Sequence, residues 1–243
     1  FEATVRSCTQ NGVRGGSATV HFPIWHQEIE DIIVLKNNIG TEDNRVRKLD
    51  YSIQLSKLFY ERFLKNEEIT LFSPHDVKGL YEAFGTPQFD ELYEKYERAT
   101  SIPKTKVSAR ELFGAILKER AETGRIYIMN IDHCNSHSSF TDKVNMSNLC
   151  QEITLPTDPI SHIDGEGEIA LCILSAINVG IIKIEELANL CDLAVRGLEE
   201  LIDYQQYPVE AAERSTLARR SLGIGYIGLA HFLAKNKVKY DDP

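Results

Sequence analysis

Segments with a two-residue apolar repeat and segments with a helical repeat follow one another along this chain. That alternation constrains its fold more than any other feature. Ala18-Thr19-Val20-His21-Phe22 alternates as a strand does, and Pro23 closes it. Residues 24–36 place Ile24, Ile29, Ile32 and Ile33 at helical spacing, and residues 49–64 do the same with Ile53, Leu55, Leu58, Phe59 and Phe63. Ile69-Thr70-Leu71-Phe72 reads as a short buried strand. Ser73-Pro74 reads as an N-cap with Pro at the first helical position. Residues 89–99 form a charged amphipathic helix, and Ser108-Ala109-Arg110-Glu111 is a capping box opening a helix that Gly124 closes. Residues 125–129 alternate again. Residues 168–177 are nearly all apolar, which predicts a strand buried on both faces. Residues 184–204 and 211–235 read as helical. Strand, helix, strand, helix in this order implies an α/β architecture with largely parallel strands.

The length, 243 residues, suits one large domain or a piece of a larger one, and 42% hydrophobic residues suffice for a core. The chain opens at Phe1 and closes on Asp-Asp-Pro, so we expect an internal fragment or a piece of a processed or split protein. Net charge is −9, from 27 basic and 36 acidic residues. Backbone binding to nucleic acid needs clustered Lys and Arg, so that class is disfavoured; a single nucleotide held by a few local groups is not. Five cysteines in a chain of this type point to a reducing cytoplasm and not to a disulfide scaffold. No apolar run approaches the length of a membrane span, and no signal-peptide pattern is present.

Asn148-Leu149-Cys150-Gln151-Glu152 is the stretch with the most chemistry. In an extended backbone, residues two apart point the same way. Asn148, Cys150 and Glu152 would then share one centre: an amide that orients, a thiol that attacks or carries a radical, and a carboxylate base. A helix would splay them. Pro156 and the polar run 130–145 favour a loop. Spacing alone leaves the plainer reading open, a buried thiol beside a surface acid.

Gly124-Arg125-Ile126-Tyr127-Ile128-Met129-Asn130, Asp132-His133-Cys134-Asn135-Ser136-His137 and Ser147-Asn148-Leu149-Cys150-Gln151-Glu152 together resemble the finger loop of the large, catalytic subunit of class I ribonucleotide reductase. Ser7-Cys8-Thr9-Gln10-Asn11-Gly12-Val13-Arg14-Gly15-Gly16 resembles that family's substrate-specificity loop. Leu35-Lys36-Asn37-Asn38, Leu71-Phe72-Ser73-Pro74-His75-Asp76-Val77 and Ile169-Ala170-Leu171-Cys172 agree as well. The likeness spans essentially the whole chain in order and is nearest to the enterobacterial and phage members.

The resemblance implies a ten-stranded α/β barrel of two five-stranded halves with the finger loop at its centre. Residues 1–243 would be a fragment of that single catalytic barrel domain, with 1–16 the specificity loop and 130–152 the finger loop. It implies that Cys150 carries a thiyl radical that abstracts the ribose 3′ hydrogen. Glu152 would take the 3′-hydroxyl proton and Asn148 would hold the sugar. Cys172 matches one of two cysteines that reduce the substrate and end as a disulfide; its partner in the family lies before the specificity loop. The plainer reading of Cys172 is a buried thiol in an apolar strand. Cys8, Gln10, Arg14, Gly15 and Gly16 match the loop through which a deoxynucleotide or ATP effector alters base selection, Cys8 without a redox role. Gly12, Gly15 and Gly16 would supply positive φ and close approach to a ligand. Thr9 and Asn11 depart from the commonest pattern.

The implied partners are a ribonucleoside diphosphate, a small subunit whose metal-tyrosyl centre supplies the radical, thioredoxin or glutaredoxin, and a second large subunit. The expected location is the cytoplasm, without nucleic acid or membrane. No cofactor or metal is expected on this chain. His133, Cys134 and His137 offer three ligand types at unusual spacing and read as structural. Cys191 reads as core. Arg125 and Tyr127, on the strand entering the finger, are candidates for a supporting role in radical transfer. Gly223-Ile224-Gly225-Tyr226-Ile227-Gly228 fits the dinucleotide fingerprint in letters only, because a helix is expected before it; close helix packing is the better reading. Two rivals remain: a noncatalytic nucleotide-binding or assembly piece of a split reductase, and a cobalamin-dependent reductase of the same superfamily.

Overall fold

The computed structural model describes residues 1–163 and 165–242. It comprises two compact units, Phe1–Pro156 and Thr157–Pro243. The first opens with helix α1 (Glu2–Ser7), strands β1 (Thr9–Gln10), β2 (Arg14–Gly15) and β3 (Thr19–Pro23), and helix α2 (Ile29–Ile33). Then come β4 (Asp50–Leu55), α3 (Lys57–Lys65), β5 (Glu68–Leu71), α4 (Leu80–Ala83), α5 (Phe89–Arg98), β6 (Thr105–Ser108) and α6 (Ala109–Thr123). It ends with β7 (Ile126–Asn130) and α7 (Ile131–Ser136).

Strands β3, β4 and β7 form one parallel sheet with β4 in the middle. Successive side chains point to opposite faces. The register therefore sets Phe22 beside Ile53 and Ile128 on one face, and His21 beside Ser52 and Tyr127 on the other. The first face is apolar. It enters a core with Ile29, Ile33, Phe59, Leu112 and Ile116 from the surrounding helices. Each such side chain contributes about 1.5–3 kcal/mol on burial, which is why the helices lie here. The second face carries Thr19, His21, Asp50, Ser52, Gln54 and Tyr127. A polar face in the middle of a parallel sheet is the feature that positions the candidate site.

Helix α6 forms as the sequence predicts. The Ser108 hydroxyl accepts from the Glu111 amide at 3.3 Å, and Gly124 ends the helix at φ +66°. Residues 89–99 and 69–72 also fold as read. Residues 49–64 do not form one helix. Positions 50–55 are strand β4, and Ser56, capping Phe59 N, starts α3 behind it. The pattern misleads because β4 is buried along nearly its whole length, polar positions included. In residues 24–36 only Ile29–Ile33 is helical. Ser73-Pro74 opens a turn, closed by Asp76 N to Ser73 O, and not a helix. The opening sixteen residues hold a helix and a hairpin where composition suggested only a loop, and α7 begins the polar run.

The second unit contains β8 (Ile173–Asn178), α8 (Leu187–Tyr204), α9 (Glu210–Arg219), β9 (Leu222–Ile227) and α10 (Leu229–Asn236), with β8 and β9 parallel. Two expectations fail here. Strand β8 starts five residues later than read and is not buried on both faces, since Leu174 is 66% exposed. Residues 211–235 are not one helix, because β9 interrupts them. The glycine motif consequently lies in a strand: Gly223 and Gly225 are inside β9, and only Gly228, at φ +77°, forms the turn into α10. Gly223 packs on strand β8 and not on a helix. No helix among the described residues is long and apolar enough to cross a membrane.

Candidate active site

The stretch around Cys150 is a loop, as its reading requires, but a turn and not an extended run. Gln151 N donates to Asn148 O at 3.2 Å, and Gln151 has φ +60°. The simple two-residue alternation that would align Asn148, Cys150 and Glu152 therefore does not hold. Cys150 and Glu152 are exposed, whereas the side-chain oxygen of Asn148 turns back into the loop. It accepts from Glu152 N at 3.2 Å and Ile153 N at 3.1 Å. Asn148 thus organises the backbone that carries the carboxylate.

The loop lies across the polar face of the sheet. Thr19 Oγ1 donates to Leu149 O at 2.6 Å, and Gln54 Nε2 donates to Asn145 O at 2.6 Å. The Ser52 hydroxyl donates to Gln151 Oε1, while Gln151 Nε2 donates to Ile128 O at 2.7 Å. All three strands hold the segment. His21 sits beneath it with both ring nitrogens buried. The Ser147 and Asn148 backbones favour its charged form, yet neither nitrogen makes a hydrogen bond of ordinary geometry. Burial outweighs them and lowers its pKa.

Tyr127 is the phenol nearest in influence to the thiol. Desolvation raises its pKa first, with Cys150, Asp50 and Glu152 adding to the rise and Arg125 opposing it. Arg125 Nη1 lies 3.6 Å from Asp50 Oδ2, and Lys36 Nζ bridges Asp50 and Leu49 O. The cations offset the partly buried Asp50 carboxylate at the sheet end that Thr19 ties to Leu149, the neighbour of Cys150. A cavity of about 920 Å³ lies elsewhere in this unit, between α3 and residues 130–143, and none of Asn148, Cys150 or Glu152 lines it.

In the specificity-loop candidate, Cys8 follows α1 and is exposed, as are Arg14 and Gly15. The backbone of Gln10 pairs with Arg14 across the hairpin; its side chain lies outside the described residues. Positive φ falls on Asn11 (+52°) and Gly12 (+70°), not on Gly15 or Gly16. Gly16 is needed for another reason, since a Cβ there would stand 2.2 Å from Val5 O. The close approach is to the chain's own backbone.

Cys172 precedes β8 in the second unit and is half-buried beside Gly223. His133 and Cys134 lie on α7, and His137 follows it, its Nδ1 3.2 Å from His133 O. Among the described residues no group of three or more His, Cys, Asp or Glu side chains is arranged to hold a metal. Sequence reasoning missed Thr19, His21, Asp50, Ser52 and Gln151. For the first four the signal was there, as polar residues at every second position of strands otherwise apolar; Gln151 lies in the loop and carried no such signal.

A thiol-bearing loop thus crosses the polar face of a parallel sheet, and comparison with known proteins places the chain in a family. The family described as "Ribonucleotide reductase, barrel domain" matches residues 1–243, and the chain belongs to that family. It is 60% identical to the ribonucleoside-diphosphate reductase subunit alpha of Haemophilus influenzae, covering all of this chain and 33% of that protein. It is 55% identical to the Escherichia coli K12 ribonucleoside-diphosphate reductase 1 subunit alpha and 45% identical to the subunit alpha of Enterobacteria phage T4. The coverage is again all of this chain and 33% of each. The chain thus spans about a third of the length of the curated relatives it matches.

Proposed function

We propose that this chain is the central part of a class I ribonucleotide reductase large subunit, which reduces ribonucleoside diphosphates to their 2′-deoxy forms. Its two units would belong to a single catalytic barrel domain of ten strands in two five-stranded halves, with 130–152 threading the centre. The observation that carries the reading is Cys150: an exposed thiol on a loop held by all three strands of the polar face, with Glu152 exposed two residues on and Tyr127 within electrostatic reach of both.

On this reading Cys150 holds the thiyl radical, because a weak S–H bond breaks and re-forms reversibly, and takes the 3′ hydrogen. Glu152 accepts the 3′-hydroxyl proton. Asn148, its oxygen already holding the Glu152 and Ile153 amides, offers the sugar its NH₂ group. Cys172 supplies one of the two reducing thiols. Cys8, Gln10, Arg14, Gly15 and Gly16 form the loop that relays a deoxynucleotide or ATP effector. The radical comes from the metal-tyrosyl centre of a small subunit, and thioredoxin or glutaredoxin restores the thiols. A homodimeric large subunit in the cytoplasm completes the assignment, with no cofactor resident on this chain.

The test is reduction of cytidine diphosphate by the full-length subunit with its small subunit and thioredoxin. Cys150→Ser abolishes turnover. Cys172→Ser abolishes multiple turnovers while nucleotide binding persists. Activity that survives Cys150→Ser sinks the reading.

A further inference from the structure

We propose that Gln151 is the positioning residue of the Cys150–Glu152 pair. The inference rests on the catalytic reading above and adds a residue to it. Gln151 has φ +60°, a left-handed conformation that side-chain-bearing residues seldom adopt. Such a conformation persists where surrounding contacts over-determine it. Here the contacts are specific. The side-chain carbonyl of Gln151 accepts from the Ser52 hydroxyl on β4, and its NH₂ donates to Ile128 O on β7 at 2.7 Å.

The clamp has one orientation. The partner on β7 is a carbonyl and can only accept, so the NH₂ must face it and the oxygen must face Ser52. With its carboxamide drawn onto the sheet, Gln151 is half-buried while both its neighbours are exposed. The reversal at residue 151 and the turn from Asn148 O to Gln151 N leave the thiol and the carboxylate on the open side of the loop. Gln151 itself acts through the loop, by fixing where Cys150 and Glu152 stand. Methionine has nearly the same length and neither hydrogen bond. Glutamate keeps the Ser52 contact but turns an acceptor toward an acceptor.

The experiment uses the full-length subunit with its small subunit, comparing Gln151→Met, Ser52→Ala and the double variant on cytidine diphosphate. Misplacing reacting groups lowers kcat more than substrate binding, so Gln151→Met drops kcat on the order of ten- to a hundredfold with KM within about twofold. Ser52→Ala moves kcat the same way and less. The double variant is no slower than Gln151→Met alone, because the two side chains form one clamp. Alkylation of Cys150 by iodoacetamide in the large subunit, read by mass spectrometry, changes rate in parallel and needs no turnover.

Wild-type kcat and alkylation in Gln151→Met overturn the proposal. If Gln151→Met unfolds, Ser52→Ala decides: a kcat loss at constant KM supports the clamp, and none overturns it. If Cys150→Ser stays active, the catalytic reading fails, while the alkylation rates still decide whether Gln151 sets the position of the thiol.

Discussion

Gly223 leaves the space that Cys172 occupies: a Cβ built on Gly223 would stand 2.9 Å from the Cys172 sulfur and 2.5 Å from Leu174 Cδ2. Both atoms end side chains that can rotate, so Gly223→Ala costs only about 1 kcal/mol of stability. Its larger effect is to displace the thiol. Alkylation of Cys172 and turnover of the full-length subunit both change in Gly223→Ala, read against the urea-unfolding midpoint. Gly228→Ala is the harsher change. It combines φ +77° with a contact of 3.1 Å to the backbone nitrogen of Gly180, and it loses about 2 kcal/mol in the same titration.

Arg62 and Glu97 form a two-bonded ion pair, both contacts at 2.7 Å, with Thr70 Oγ1 donating to the same carboxylate at 2.6 Å. Burial, the largest influence on Glu97, pushes its pKa up, but the Arg62 and Thr70 hydrogen bonds and the Arg62 charge hold it below the usual range. A carboxylate lowered in the folded state stabilises fully above its unfolded pKa and stops doing so as pH falls through its folded one. The contribution is therefore complete at neutral pH and starts to fall away only as the pH drops below about 4. Glu97→Ala strands Arg62 and costs about 2–4 kcal/mol at pH 7, with the difference from wild type shrinking in acid. Thermal unfolding at pH 7 and pH 3 measures both.

His21 gives a second pH dependence, in a higher window. Its pKa is lowered by burial, so the unfolded chain takes up a proton before the folded one does. Stability is complete above about pH 6.5 and declines as the pH falls toward the folded value. His21→Gln removes part of that decline. Urea midpoints between pH 8 and pH 5 that fall equally in both proteins would refute this assignment.

Gly114 lies inside α6, where a Cβ would meet nothing within 4 Å. Gly114→Ala raises stability by about 0.5–1 kcal/mol, because alanine loses less backbone freedom on folding. A higher unfolding midpoint with unchanged slope is the expected readout.

Local chemistry made the α/β class legible in the sequence, and it placed α5, α6 and β5 close to where they lie. Capping at Ser108 and Gly124 needs only residues a few positions apart, and so does the avoidance of helix around Cys150. The family motifs are equally local strings. What the sequence did not yield is decided by partners far along the chain. Ser52 reads as one polar residue in a helical pattern until Gln151, ninety-nine positions later, lies on it. Thr19 reaches the Leu149 carbonyl across 130 positions. The break of residues 49–64 into strand and helix has the same origin, since pairing with β3 and β7 on either side outweighs the local helical spacing. Period and capping are properties of neighbours in sequence, so the sequence by itself determined the elements they govern. Which strand face is polar, and which side chain clamps the Cys150 loop to it, are properties of neighbours in space, and only the tertiary structure decided them.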